Sequence, residues 1–255
     1  DVEDRLFKLS RKVQIFSFSK STSDWVTKLS GSPCAVLRHP PVLFKNASTS
    51  FSRQQRAAKF AKGQQERFVV TLAGEVRPGK GFEWTLNALK KSSDRFLRSR
   101  IKLLLVGGAS DEKINELSLL AKKSGTEHEY LVRPRSAVDY RGLSDVEFST
   151  CIEKTDIMLF PYSGSESNTI SGHFVDSVLA GCRIIASRES AMAPIVKAYS
   201  LGAVFDASDP DDFLRKLGNE LARPAFSGSD AAGLASFCKD YSAKSINSQL
   251  SAYLQ

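Results

Sequence analysis

Short continuous runs of hydrophobic residues alternate along most of this chain with amphipathic segments. The runs predict buried strands at 68–73, 101–106, 130–132, 157–160, 182–186 and 203–205. Apolar residues at helical spacing predict helices near 82–89, 114–121, 145–153, 172–180 and 192–199, and a further helix that begins near Ser208. Continuous apolar strands that alternate with helices are typical of an α/β fold: a doubly wound, Rossmann-like parallel sheet covered on both faces.

The two ends of the chain differ from this central region. Residues 12–18 alternate like a strand, residues 22–29 have one apolar helical face, and residues 34–38 form a short strand. We therefore divide the chain into four parts. They are a small βα unit at 1–45, a linker rich in Ser, Gln, Lys and Arg at 46–66, a main domain at 67–230, and a single C-terminal helix at 231–255.

Charge and composition narrow the ligand class only slightly. The chain has 36 Lys and Arg against 28 Asp and Glu, and the net charge of +8 favours phosphorylated ligands, polyanions or an anionic membrane surface. Four cysteines without a C-x-x-C pair and three histidines without ligand spacing argue against a structural zinc site. Cysteines in apolar surroundings indicate a reduced, cytoplasmic protein. The longest apolar runs are too short to span a bilayer.

The loop after the first strand of the main domain contains a glycine-rich phosphate motif. Residues 74–80 match G-x-x-x-x-G-K between a strand and a helix, but Gly81 stands where a P-loop has the Ser or Thr that holds Mg²⁺. Pro78 also lacks one of the backbone N–H groups that a phosphate cradle uses. The pattern therefore disfavours an ATPase or GTPase and leaves two interpretations, a different phosphate site or a solvated surface turn.

A second loop suited to anions follows the strand at 157–160. Ser171 is a candidate N-cap, and the N–H groups of the first helical turn at Gly172, with the helix dipole, can bind an anion. Asp176 lies on the same helix face as Gly172, where its carboxylate could bind ribose hydroxyls or simply compensate the helix dipole. Ligands of such sheets bind at the carboxyl ends of the strands, where both loops lie.

The order of elements from Phe68 to Leu221 resembles the C-terminal, donor-binding domain of retaining GT-B glycosyltransferases of the group 1 family. These enzymes use nucleotide-sugar donors. The resemblance rests on Gly74…Lys80-Gly81 and on the segments 139–145, 154–162 and 176–186. Residues 12–41 resemble the last βα unit of the family's acceptor-binding domain, most of which would then be missing from this chain.

The resemblance implies a role for each candidate residue. Lys80 would bind the donor diphosphate, and Arg77 would replace an arginine that the family has at the position of Glu75. Both would stabilise the leaving group and so act catalytically, together with the amides of Ser171 and Gly172. The remaining roles follow by position: ribose binding by Asp176, sugar binding by Asn168 or by Glu166 two residues before it, and base binding by the segment of Tyr140 and Arg141.

The implied function is that of a retaining hexosyltransferase. It would move a sugar from a nucleotide-sugar donor to a glycan or lipid-linked acceptor in polysaccharide or glycoconjugate biosynthesis, with no metal and no other cofactor. The protein would be cytoplasmic, and peripheral contact with the inner face of the membrane stays open. Glu75 and Asn168 favour an alternative, a non-catalytic glycosyltransferase-like binding or scaffolding module. The sequence has no motif that combines basic residues with aromatic residues for base stacking, so nucleic acid is not expected as a partner.

Overall fold

A six-stranded, all-parallel sheet forms the centre of the molecule. The structure is a computed structural model that describes residues 15–18, 20–41, 58, 67–134, 143–223 and 228–254. The strands of this sheet are β3 (Phe68–Glu75), β4 (Ile101–Ala109), β5 (Glu127–Pro134), β6 (Ile157–Phe160), β7 (Arg183–Ser187) and β8 (Gly202–Phe205). Their order across the sheet is β5-β4-β3-β6-β7-β8, which confirms the predicted doubly wound α/β fold.

Helices follow the strands as the hydrophobic spacing predicts. In the main domain they are α2 (Phe82–Lys91), α3 (Arg95–Arg100), α4 (Asp111–Ser124), α5 (Asp145–Lys154), α6 (Gly172–Leu179), α7 (Ala193–Ala198) and α8 (Pro210–Ala222). A short 3₁₀ helix spans Gly164–Asn168. We did not predict α3, which has only six residues and begins where the side chain of Asp94 accepts a hydrogen bond from the N–H of Leu97 at 2.9 Å.

Apolar layers cover both faces of the sheet. Phe68, Val70 and Leu72 of β3 pack into one layer with α2, while Leu104 and Val106 of β4 pack into the other with α6. This arrangement explains why the strands read as continuous hydrophobic runs and not as alternating ones.

The strand order reverses between β3 and β6, at the centre of the sheet. These two strands pair in parallel, and the N–H of Val69 donates to the carboxylate of Asp156 at 2.7 Å beside the pair. The hydroxyls of Thr71 and Thr155 lie 2.7 Å apart in the same buried region. A crevice therefore opens beyond the carboxyl ends of β3 and β6, where doubly wound sheets bind their ligands.

The first part of the chain forms a smaller unit. β1 (Ile15–Ser17) and β2 (Cys34–Val36) pair in parallel, with α1 (Lys20–Ser30) between them in sequence. This unit agrees with the predicted βα segment. The predicted linker at 46–66 lies outside the described residues except for Ala58.

The C-terminal segment contains two helices, and our prediction of one was wrong. α9 (Ser229–Asp240) has Tyr241 as its C-cap, and α10 (Ala243–Leu254) starts two residues later. The hydroxyl of Ser242 accepts a hydrogen bond from the N–H of Ser245 at 3.2 Å and so begins the second helix. Apolar spacing continues on both sides of this break, so the hydrophobic pattern does not reveal it.

The break directs α10 back to the first unit. The side-chain amide of Gln249 donates to the carbonyl of Val36 and accepts from the N–H of Arg38, both at 3.3 Å. Among the described residues, no helix is both long and apolar enough to cross a membrane.

Candidate functional site

Two loops meet in the crevice between β3 and β6. The first loop (76–81) follows β3 and the second loop (161–171) follows β6. The N–H of Ser163 donates to the carbonyl of Gly79 at 2.9 Å, which joins the loops through their backbones. Gly79 itself leaves no room for a side chain, because a Cβ atom there would lie 2.7 Å from the carbonyl oxygen of Ser163.

Gly81 explains why the phosphate motif lacks its hydroxyl residue. The φ of Gly81 is +78°, and a Cβ atom at this position would lie 2.4 Å from the carbonyl oxygen of Pro161. A Ser or Thr would therefore clash with the backbone of the second loop. The close approach of the two loops thus excludes a P-loop hydroxyl at this position.

Lys80 lies between the two loops, almost fully buried. Only 9% of its side chain is exposed, and its Nζ lies 2.9 Å from Oε2 of Glu166. The same ammonium group lies 3.9 Å from the centre of the Tyr162 ring, a cation–π contact. Sequence reasoning missed Tyr162. The available signal was its position directly after β6, opposite a lysine that follows the neighbouring strand.

Arg77 points to the same carboxylate from the solvent side. Its Nε lies 2.9 Å from Oε1 of Glu166, and its Nη2 donates to Oε2 at 3.1 Å. The guanidinium also lies 3.6 Å from the carboxylate of Glu75. Burial opposes the ionisation of Glu166, but the hydrogen bonds and charges of Lys80 and Arg77 outweigh it and lower the pKa of that carboxyl.

Helix α6 begins at the end of the second loop. Ser171 is its N-cap by position, as predicted, and Gly172 is its first residue. The first N–H groups of any α-helix lack partners within the helix, so this end can bind an anion. Burial, and secondarily the charge of Lys80, lowers the pKa of His173 in this first turn to about 4. The influence of Lys80 on His173 indicates that the helix end and the buried ammonium belong to one electrostatic environment.

The remaining predicted residues lie in different surroundings. Asp176 is completely buried within α6, whereas Asn168 is exposed at the end of the 3₁₀ helix. Asn168 lines a cleft of about 580 Å³ together with Arg38 and His39 of the first unit. Tyr140 and Arg141, the predicted base-binding residues, lie outside the described residues. The ribose, sugar and base roles therefore stay predictions.

Glu166 makes contacts that its predicted role did not include. Its position relative to the family motif suggested a contact with the donor sugar. In the structure, its carboxylate forms ion pairs with Arg77 and Lys80, the two cations that we assigned to the diphosphate. Within the described ranges, no group of three or more His, Cys, Asp or Glu side chains is arranged to hold a metal ion.

The comparison with protein families decides the classification of this chain. The family model for glycosyl transferases group 1 matches residues 67–222, which is more than half of the chain and coincides with the six-stranded domain. The chain belongs to the glycosyl transferases group 1 family. The match includes both loops of the crevice. No curated protein matches the chain significantly.

Solved structures place this group 1 chain in the GT-B fold. Alr3699/HepE of Anabaena, in complex with UDP-glucose, has a TM-score of 0.66 and 15% identity, over 100% of this chain and 68% of that protein. Sucrose-phosphate synthase of Thermosynechococcus elongatus has a TM-score of 0.70 and 15% identity, over 99% and 61%. WaaG, a glycosyltransferase involved in lipopolysaccharide biosynthesis, has a TM-score of 0.61 and 15% identity, over 89% and 58%.

The matches are consistent with this chain being one part of a GT-B protein. It spans 58% to 68% of the length of the three proteins named above. The six-stranded domain corresponds to the C-terminal, donor-binding domain of the fold, in agreement with the resemblance found in the sequence.

Proposed function

We propose that this chain carries the donor-binding half of a retaining GT-B glycosyltransferase. The enzyme would transfer a hexosyl group from a nucleotide sugar to a glycan or lipid-linked acceptor in polysaccharide or glycoconjugate biosynthesis. One observation carries the proposal. Two cations, Arg77 and Lys80, converge at the switch point of a doubly wound sheet, beside the start of α6.

The chemistry of sugar transfer suits this arrangement. Cleavage of the bond between sugar and phosphate leaves negative charge on the departing diphosphate. Fixed cations and helix N–H groups at that point stabilise the transition state, commonly by several kcal/mol. Arg77, Lys80 and the amides at Ser171 and Gly172 are the groups that we assign to this task. Lys80 is held in place by Tyr162, so little reorganisation would be needed when charge develops.

Related structures support the choice of ligand class. Alr3699/HepE of Anabaena was solved with UDP and with UDP-glucose. We extend this ligand class to the present chain as nucleotide sugars in general. Its own base and sugar preference are the first quantities to measure. The predicted cytoplasmic location, the membrane contact and the absence of a cofactor remain part of the proposal.

Calorimetric titration of the chain with UDP, GDP and ADP tests the donor site directly. We expect one nucleotide to bind, and we expect Lys80→Ala to weaken its binding at least tenfold, because the substitution removes a buried cation from the phosphate position. The matched control is Lys90→Ala, which removes an equal charge from the exposed surface of α2. Equal loss in both variants, or no binding by any of the three nucleotides, would contradict the proposal.

A non-catalytic module is the second candidate, and Asn168 favours it. Asn168 stands where the resemblance expects the sugar-binding acid, so a neutral amide replaces a carboxylate. Both candidates bind a nucleotide, and they differ in turnover. Release of UDP, GDP or ADP from the matching nucleotide sugar by the whole parent protein supports the enzyme, whereas tight binding without release supports the module.

A further inference from the structure

In the described part of the crevice, the charges of the four side chains that form ion pairs cancel one another. Arg77 and Lys80 supply two positive charges, and Glu75 and Glu166 supply two negative ones within salt-bridge distance. These four side chains together carry no net charge, so their long-range attraction for an anion is weak. A diphosphate that kept Glu166 in place would also bring further negative charge next to a buried carboxylate, and such repulsion is strong where water is excluded.

The carboxylate of Glu166 occupies the position between Arg77 and Lys80 that we assign to the diphosphate, and the two cations bind it as they would bind a phosphate. Its two carboxylate oxygens accept hydrogen bonds from both cations, at 2.9 Å from Lys80 and at 2.9 and 3.1 Å from Arg77. The pairing with Arg77 is bidentate, which is also how guanidinium groups bind phosphate. Only 11% of the Glu166 side chain is exposed, so this carboxylate fills the space between the two cations.

The segment that carries Glu166 is short and lies at the surface. Glu166 belongs to the 3₁₀ helix Gly164–Asn168, and its neighbours Ser163, Gly164 and Ser165 are exposed. A Cβ atom added to Gly164 would meet no other atom within 4 Å, so the chain before Glu166 has open space beside it. Backbone hydrogen bonds tie this turn to the rest of the protein, from the N–H of Ser163 to Gly79 and from the N–H of Ala191 to Ser167, so Glu166 would leave the cations by moving its side chain.

We propose that Glu166 is an internal counterion of the donor site, which the diphosphate of the incoming nucleotide displaces from Arg77 and Lys80. Glu166 thereby lowers the affinity of the site for every anionic ligand and keeps the two cations together when the site is empty. This inference rests on the donor-binding function proposed above. It gives Glu166 a role on the phosphate cations, distinct from the sugar contact that position alone suggests.

The test compares two charge-matched variants of the full chain. Glu166→Gln keeps the size of the side chain and removes the competing charge, so we expect inorganic pyrophosphate and the preferred nucleoside diphosphate to bind at least tenfold more tightly. Neither probe has the donor sugar that the resemblance would place against Glu166. Glu75→Gln removes the same charge beside the same arginine. Because Glu75 is 32% exposed and lies 3.6 Å from Arg77, we expect a change below threefold.

Equal or weaker binding to Glu166→Gln would overturn the inference, and so would equal tightening in both variants. If Glu166→Gln does not fold, Glu166→Asp is the substitute, since a shorter acid gives up contacts with the cations and should also raise the affinity. The experiments distinguish failure of the counterion proposal from failure of the donor-site proposal. Binding by the wild type that Lys80→Ala removes, without tightening in Glu166→Gln, refutes only the counterion. Absence of binding in every variant refutes both proposals.

Discussion

His173 lies in the first turn of α6, with its ring 4.2 Å from the ring of Phe148. Burial lowers its pKa to about 4 from the usual 6.5, and the nearby charge of Lys80 adds to the effect. An imidazole with such a pKa stays neutral at the pH of a cell. Beside the phosphate position that we propose, it can therefore accept or donate a hydrogen bond without adding charge.

This residue should make the stability of the protein depend on pH. Between pH 6.5 and pH 4 the unfolded chain binds a proton at His173 that the folded chain does not bind, so stability falls as the pH falls through this window. We expect the wild type to lose about 2 kcal/mol more than His173→Gln between pH 7 and pH 5. Urea unfolding of both proteins at the two pH values measures this difference. An equal loss in both would place the pH dependence at other groups.

The sequence predicted some site residues and missed others for a physical reason. The sequence predicts a phosphate role for Arg77 and Lys80 because a glycine-rich loop between a strand and a helix has a known relation to phosphate. The contact of Glu166 with these cations depends on how two loops 80 to 90 residues apart approach each other. Residue type and spacing contain no such information, so position in the motif suggested a sugar contact.

At the scale of elements, the site depends on the contact between the first and second loops. Gly79 and Gly81 have positive φ values of +85° and +78°, and both lie against the backbone of the second loop. This contact brings Lys80 of the first loop against Tyr162 of the second loop. The backbone contact between the two loops is therefore one determinant of the geometry of the crevice.

A methyl group at Gly81 should separate the two loops. Gly81→Ala places a carbon 2.4 Å from the carbonyl oxygen of Pro161, and we expect it to destabilise the fold by about 1–3 kcal/mol and to weaken nucleotide binding at least tenfold. Thermal unfolding and calorimetric titration measure the two effects.

The matched control for that substitution is Gly218→Ala. Gly218 lies within α8, and a Cβ atom there meets nothing within 4 Å, so the same change should be neutral or slightly stabilising. Wild-type affinity in Gly81→Ala would refute the dependence of the site on this contact.

Elements that are long and periodic were predicted well, while short ones and breaks were not. The strands β3, β4 and β6 and the helix α5 agree with the hydrophobic pattern within a few residues. The helix α3 was missed because six residues give less than two turns of periodicity. The break at Tyr241 and Ser242 was missed because it follows from the return of α10 to the first unit, which is a tertiary contact.

At the scale of the whole molecule, α10 connects the end of the described chain with its beginning. Gln249 bonds to the backbone of both Val36 and Arg38, and Arg38 also lies 3.6 Å from the carboxylate of Asp240. The first unit and the C-terminal helix together form one wall of the cleft that contains Asn168. The position of this wall is therefore set by residues more than 200 positions apart.

Loss of the Gln249 side chain should loosen the first unit and leave the sheet unchanged. In Gln249→Ala the N–H of Arg38 loses its acceptor, at a cost of about 1 kcal/mol, which corresponds to roughly fivefold faster hydrogen exchange. Exchange of the Arg38 amide, measured by NMR, checks the prediction, and the amides of β3 serve as the internal reference. Unchanged exchange at Arg38 would show that other contacts hold this wall.

The pairing of β3 with β6 has a consequence for the order of folding. Residues 87 positions apart must meet at this pair, since Val69 bonds to Asp156, whereas β3, β4 and β5 pair with nearer neighbours. Contacts between distant segments form slowly, because the long loop between them must first be closed. We expect the β3–β5 half to acquire structure first during synthesis, and the crevice to exist only after the second half joins it. A nucleotide held by both loops would then slow the separation of the two halves and lengthen the lifetime of the folded protein.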